Sequence, residues 1–384
     1  MLKIAVGQSD DVDAADAIRE IVERCAGQLG GAIPGAALVF ASIELDHQPV
    51  LDHLLATYPG VAIIGCTTDG EMSSVGGFSE SSLVVVLFAS DTIEFVAEVA
   101  RDLSKDPRGS AAAAAAAALE RCTQELRACV TTPESLTTSG VAVLDGLRAG
   151  LGESVAILGG LAGDQVKFVG TRQFYGAEVL RDAAPLLLLA GPIHVAHGVA
   201  SGWSPIGARA EVTRAAANVV HTIGDQSALD FYRRYIGQSN VPTGEYALAV
   251  FEPGRETFYL RAPLGADLET GAVTFFGDIP LGAAVQITQT RREDIIAACT
   301  TSVQQALAAY PGERPAAALC FSCAGRRHIL GSRAPDELAA VRAGLPPGLP
   351  VAGFYAYSEI GPTEPGRPAA LHNETFVTLL LGEH

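Results

Sequence analysis

The chain has 384 residues, 48% of them hydrophobic, enough for two or three packed units around substantial cores. Its 26 Lys and Arg against 43 Asp and Glu give a formal net charge of −17, a field that repels phosphate backbones and anionic lipid and argues against nucleic-acid binding. No apolar run approaches the ~18 residues of a membrane helix, so no membrane insertion is expected. Met1-Leu2-Lys3-Ile4-Ala5-Val6 turns polar at once, unlike a secretory leader, and the seven scattered cysteines suit a reducing compartment. A cytoplasmic protein is expected.

In chain order, Ile18, Ile21, Val22, Cys25 and Leu29 recur at helical spacing, which predicts a helix over 10–29. Pro34 and Gly35 break it. Residues 36–40 read as a buried strand, 50–55 as a helix, and 61–64, 83–88 and 93–99 as strands. The order then repeats. Ser110 is placed to cap a helix opening on eight consecutive alanines, Ala111–Ala118, and ending near Leu126, with alanine permitting close packing on a sheet. Strand 128–131, helix 139–149 and strand 155–158 follow, with return strands at 174–175 and 186–190. Between about 192 and 285 short strands dominate (195–203, 208–214, 247–251, 273–276) around one helix, 227–235, capped by Ser227. A long helix at 291–309, a strand from 316, a helix at 335–343 and a last strand at 376–381 complete the pattern. This predicts an α/β fold: repeated strand-helix-strand units forming mixed sheets flanked by helices, with a strand-rich middle segment.

Three stretches look like copies of one another. Ala37-Leu38-Val39-Phe40-Ala41-Ser42 leads to Gly65-Cys66-Thr67-Thr68-Asp69-Gly70-Glu71, and Ala318-Leu319-Cys320-Phe321-Ser322-Cys323 leads to Gly353-Phe354-Tyr355-Ala356-Tyr357-Ser358-Glu359. In both, a glycine ends an apolar run and a glutamate follows six residues later. A weaker third copy runs from Ala128-Cys129-Val130-Thr131 to Gly159-Gly160-Leu161-Ala162-Gly163-Asp164. Ligands of open α/β sheets bind beyond the C-terminal strand ends, so the three loops are expected to converge on one site.

The candidate ligand contacts are Cys66, Thr67, Thr68, Asp69 and Glu71 of the first loop, Tyr355, Tyr357 and Glu359 of the last, and Asn373 before the final strand. Their dull alternative is a set of turns whose polar groups satisfy their own backbone. Arg326 either pairs with a carboxylate such as Glu71 or Glu359, or clamps an anionic ligand group with its planar fork. Cys320 and Cys323 lie three apart on a strand, which points the thiols to opposite faces and favours small buried hydrophobes over a redox or zinc pair. No Gly-x-Ser-x-Gly elbow, phosphate loop or His-Glu-x-x-His is present, so no enzyme is expected; the competing class is a thiol enzyme using Cys66 or Cys323.

Several ordered motifs resemble the FIST family of bacterial and archaeal sensory modules over roughly residues 30–380. They are Ile64–Glu71, Ile157–Asp164, His197-Gly198 and Ser227–Tyr232, then Phe321–Arg326, Ala352–Pro362 and Leu371–Thr375. Ser358 stands where the family usually has glycine. The resemblance implies a FIST N-terminal domain over 1–225 and a FIST C-terminal domain over 226–384. It implies signal transduction by small-molecule binding in a cleft, with the output passed to a partner such as a histidine kinase. A stand-alone chain of this kind is similar to NosP-type haemoproteins that sense nitric oxide. If haem is the cofactor, His197 and His372 are the candidate axial ligands; otherwise amino acids or related metabolites are the implied ligands and no cofactor is needed.

Overall fold

In a computed structural model, residues 2–251, 257–364 and 366–383 are described. The first unit comprises β1 (Lys3–Ser9), α1 (Ala14–Leu29), β2 (Ala36–Ser42), α2 (Gln48–Thr57), β3 (Ala62–Thr68), the hairpin β4 (Glu71–Ser73) and β5 (Gly77–Ser79), and the return strand β6 (Leu83–Ala89). The second repeats that order with β7 (Glu94–Ala100), α3 (Pro107–Arg121), β8 (Leu126–Thr131), α4 (Gly140–Leu151), β9 (Ala156–Gly160), the hairpin β10 (Gln173–Tyr175) and β11 (Glu178–Leu180), and β12 (Ala184–Ala190). The third opens with β13 (Ile193–Ala200). It is interrupted between 204 and 289 by nine described strands, β14 to β22, and α5 (Ala228–Ile236). It resumes with α6 (Arg292–Ala309), β23 (Ala317–Cys323), α7 (Ala324–Leu330), α8 (Pro335–Gly344), β24 (Val351–Ala356), the hairpin β25 (Glu359–Pro362) and β26 (Ala369–His372), and β27 (Phe376–Glu383).

Each unit builds a sheet of one order, β1-β6-β2-β3, β7-β12-β8-β9 and β13-β27-β23-β24, with a central parallel pair. The hairpins do not return to their own sheets. β4 pairs with β24, β10 with β3, and β25 with β9. The N-terminal and C-terminal parts of the chain are therefore knitted together by exchanged strands.

The apolar runs follow from this layering. Alternate residues of a strand face opposite sides. Ala36, Leu38 and Phe40 enter a core common to all three sheets, where they meet Val130, Leu158, Leu319 and Phe354, while Ala37, Val39 and Ala41 pack outward with α1 and α2. Both faces are buried, so such strands read as continuous hydrophobic segments. The repeated loop glycines have one cause. Gly65, Gly159 and Gly353 stand opposite Val39, Thr131 and Cys320 on the neighbouring parallel strand. A Cβ at each would lie 1.9 Å from the partner's carbonyl oxygen.

The predicted fold class and the three-fold repetition match this architecture, with local corrections. Asp13 caps α1, accepting from the amides of Ala15 and Asp16, so the helix starts at Ala14 rather than Asp10. Asp106, not Ser110, caps α3, and α3 stops at Arg121; Pro107 pre-sets the first turn, and Leu126 already belongs to β8. The alanine tract packs on α4 as well as on a sheet: a Cβ on Gly150 would meet the Ala112 carbonyl at 2.6 Å. α7 has no apolar periodicity and was not expected. The inserted strands hold a separate core with Leu229, Phe231 and Tyr232 of α5. Among the described residues no helix is long and apolar enough to cross a membrane.

Candidate functional site

The exchanged hairpins bring the repeated loops together. Glu71 stands opposite Phe354 of β24, the Asp69 amide donates to the Tyr355 carbonyl at 2.9 Å, and the Tyr355 amide donates to Gly70 at 2.8 Å. Glu359 stands opposite Gly160, and Gln173 fills the same place opposite Cys66. The two glutamates in register clamp the return strands. Glu71 Oε2 accepts from the Ser82 amide at 3.0 Å and its hydroxyl at 2.8 Å, while the Thr68 hydroxyl donates to the other oxygen. Glu359 Oε2 accepts from the Thr375 amide at 3.1 Å and its hydroxyl at 2.8 Å. Burial pushes Glu71 up to about 7 against the pull of these donors, and pushes Glu359 well above the carboxylate range. Both are fully buried and neither lines the cleft described below, so the expected shared acidic hollow is not built around them.

Most other nominated residues are likewise held by the protein itself. Cys66 faces the common core, and burial raises its thiol well above its ordinary value. The Thr67 hydroxyl accepts from the Arg172 amide at 3.0 Å. Asp69 Oδ2 receives Arg327 Nε at 3.0 Å and Nη2 at 2.8 Å; burial raises this carboxyl and Arg327 opposes the rise. Arg326 is buried and pairs with neither Glu71 nor Glu359. Its guanidinium bonds Glu337 at 2.7 Å and the Ile295 carbonyl at 2.8 Å, and also reaches Ser201 and Cys299. Tyr355 and Tyr357 do not share a face, because β24 ends at Ala356. Tyr355 enters the outer core with α8, while Tyr357 turns into a cleft. Asn373 ties the turn, donating to the Ser358 hydroxyl at 2.8 Å and accepting from the Ala262 amide at 3.2 Å.

The cleft has a volume of about 500 Å³. One wall is the loop after β9, carrying Val166 and Phe168; another comes from the inserted strands, with Ala262, Leu264 and Phe276; the third is the end of β23 and α7, with Cys323, Gly325 and His328. Tyr357 and Glu374 complete it, and Arg292 and Glu245 stand exposed at its rim. Asp164 organises the first wall. Its carboxylate accepts from the amides of Phe168 at 3.0 Å, Val169 at 2.7 Å and Gly170 at 3.0 Å, and from the Tyr357 hydroxyl. Burial works to raise Asp164, but these donors outweigh it and hold it below its ordinary value. The Phe168 ring lies 5.1 Å from Tyr357 and 6.1 Å from Phe276.

Among the described buried carboxyls, Glu374 is the one that both lines the cleft and has an oxygen without a partner; Asp69 Oδ1 and Glu359 Oε1 also lack partners but do not line it. Glu374 is 1% exposed, and its Oε2 has no hydrogen-bond partner among the described residues. Burial pushes it up to about 8, with Arg326 acting in the opposite sense. Of the seven described non-glycine residues with positive φ, Val166 (58°), Phe168 (52°) and Glu374 (58°) line this cleft. Such a backbone is costly for side chains of this size and concentrates at functional sites. Sequence reasoning quoted Asp164 and Glu374 within longer motifs but nominated neither.

Haem ligation through the nominated histidines does not fit. His372 is buried with Nε2 bonded to the Gly361 carbonyl at 2.7 Å, and burial lowers it to about 4. His197 has a buried, unpartnered Nε2, but it lies on β13 and neither histidine lines the cleft. Cys320 and Cys323 diverge. Cys320 faces the outer core, and Cys323 faces the cleft with its thiol raised by burial and by Glu359 and Glu374.

Comparison with known proteins places these residues in a family. The FIST N domain profile matches residues 35–226 and the FIST C domain profile matches residues 228–362. An uncharacterized protein of Mycobacterium tuberculosis is 29% identical over 384 residues, covering 94% of this chain and 95% of its own. Another, from Mycobacterium bovis, is 27% identical over 391 residues and 97% of each chain. Among solved structures, a cyanuric acid hydrolase from A. caulinodans aligns over 100% of this chain and 99% of its own, with 11% identity and a TM-score of 0.41. A chorismatase aligns over 99% and 98%, with 11% identity and a TM-score of 0.40. At those scores neither structure informs the chemistry of this chain.

Proposed function

Because the chain belongs to the FIST family, whose domains are sensory modules of signal transduction, we propose that it is a cytoplasmic sensor of a small ligand bearing a cationic or hydrogen-bond-donating group, of the amino-acid or related metabolite class rather than haem. The reading rests on Glu374, a buried carboxyl with an uncommitted oxygen at a cleft of metabolite size. An unpaired polar group in that position is costly, and a ligand that satisfies it recovers the cost. The cleft is walled by both FIST parts. A ligand that prefers one arrangement of these walls shifts the population toward it. α7 can carry that shift, because Gly325 and His328 face the cleft while Arg327 grips Asp69 of the N-terminal part. The output then passes to a separate signalling protein such as a histidine kinase.

No catalysis is proposed. A nucleophilic thiol needs its thiolate, and burial raises both Cys66 and Cys323 well above the ordinary thiol value, disfavouring that form. The test is thermal denaturation of the wild type and Glu374→Gln against a panel of amino acids and simple amines. At least one amine is expected to raise the wild-type melting temperature and to lose that effect in the variant. A panel without effect on the wild type, or an unchanged response in the variant, overturns the assignment.

A further inference from the structure

The wall facing Glu374 narrows the ligand class, and this step rests on the cleft reading above. Phe168, Phe276 and Tyr357 all line the cleft and form a mutual cluster, with centroid separations of 5.1, 6.1 and 6.3 Å. Their planes are tilted by 31°, 42° and 49°, so they offer several ring faces and edges to one space rather than a flat stack. Ring faces attract cations, the more so where water is excluded. The Tyr357 hydroxyl donates to the Asp164 carboxylate, which adds negative charge beside that ring. The same carboxylate fixes the backbone of Phe168. Asp164 thus positions two of the three rings before any ligand arrives.

Val166, Ala262, Pro263 and Leu264 add apolar lining, while the other polar side chains of the cleft are Thr243, Glu245, Arg292 and His328. A primary ammonium carries three N–H donors and would have to find three acceptors here. An ammonium whose hydrogens are replaced by methyl groups needs none, presents a diffuse charge with an apolar shell, and would offset Glu374 through charge on its ionised carboxylate rather than through a hydrogen bond. We propose that the cleft takes an alkylated ammonium compound, its positive charge beside the free Glu374 oxygen and its methyl groups against Phe168, Phe276 and Tyr357.

The experiment is isothermal titration of the intact wild-type protein with choline, with ethanolamine, and with the neutral isostere of choline in which a tert-butyl group replaces the trimethylammonium. Choline is expected to bind about tenfold more tightly than either of the others. Phe276→Leu and Phe168→Leu, which keep apolar bulk but remove the ring, are expected to weaken choline by several-fold and leave the isostere unchanged. Equal binding of choline and its isostere overturns the proposal, since the pocket would then read shape alone. Tighter binding of ethanolamine than of choline also overturns it, while leaving Glu374 as the amine contact. Failure of every amine to bind removes both readings. The wild-type comparison stands whether or not the leucine variants fold.

Discussion

Glu71 and Glu374 are both fully buried glutamates at the start of a strand, Glu71 opening β4 and Glu374 standing just before β27. Around Glu71, both oxygens are occupied by Thr68 and by the Ser82 amide and hydroxyl. Around Glu374, one oxygen has no partner among the described residues, and the residue lines a cleft of about 500 Å³. The first arrangement closes the start of a strand; the second leaves a demand that only something from outside meets. A missing partner therefore points to a ligand only where it coincides with a cavity, since Glu359 Oε1 and Asp69 Oδ1 are also unpartnered but line no part of this cleft.

The three-sheet core is where substitutions should cost most. Gly65→Ala and Gly353→Ala each place a methyl 1.9 Å from a backbone carbonyl that a parallel strand cannot move. Each is expected to cost at least about 3 kcal/mol, read by urea denaturation. If either is tolerated within 1 kcal/mol, roughly the size of an ordinary surface change, the equivalence of the units is wrong. Next in size is the pair Arg326–Glu337. Arg326→Met leaves Glu337 buried with the Ser322 hydroxyl at 3.0 Å and the Cys299 thiol, and should cost about 3–5 kcal/mol. Adding Glu337→Gln should recover part of that loss. A ligand-contacting Arg326 would instead show little stability change and a loss of binding.

The contrast also explains what the sequence could disclose. The repeated units are legible because a strand buried on both faces leaves a continuous apolar run, and because a close carbonyl crossing demands glycine at one fixed place. Ser227 is legible as a cap, since its hydroxyl accepts from Asp230 only three residues away. The cleft is not legible in the same way. Glu71 and Glu359 stand out by their repeat spacing, and that spacing reports a structural clamp. Asp164 and Glu374 differ from other turn acids only in their distant partners, Tyr357 in one case and an open cavity in the other. Arg326 finds Glu337 on a helix whose position no local pattern encodes.

The finest separation of the two regions is by pH. Burial holds Glu374 at about 8, against 4.5 when unfolded, so the folded protein binds this proton more tightly than the unfolded chain does. Stability from that source is fully present below pH 4.5 and drains away as the pH rises through about 8. Glu71 does the same over the narrower window from 4.5 to about 7. Glu374→Gln keeps the shape and removes one of these two slopes. The variant should match the wild type in acid and exceed it above pH 8, by on the order of a few kcal/mol at most, in chemical denaturation run across the range. A cationic ligand reverses the sign for the wild type. It favours the ionised carboxylate, so its affinity should climb as the pH approaches 8 and level off beyond it, with no such climb in the variant. Parallel stability curves for the two proteins would mean that Glu374 adds no pH dependence of its own, and the distinction between wall and cleft would lose its chemical basis.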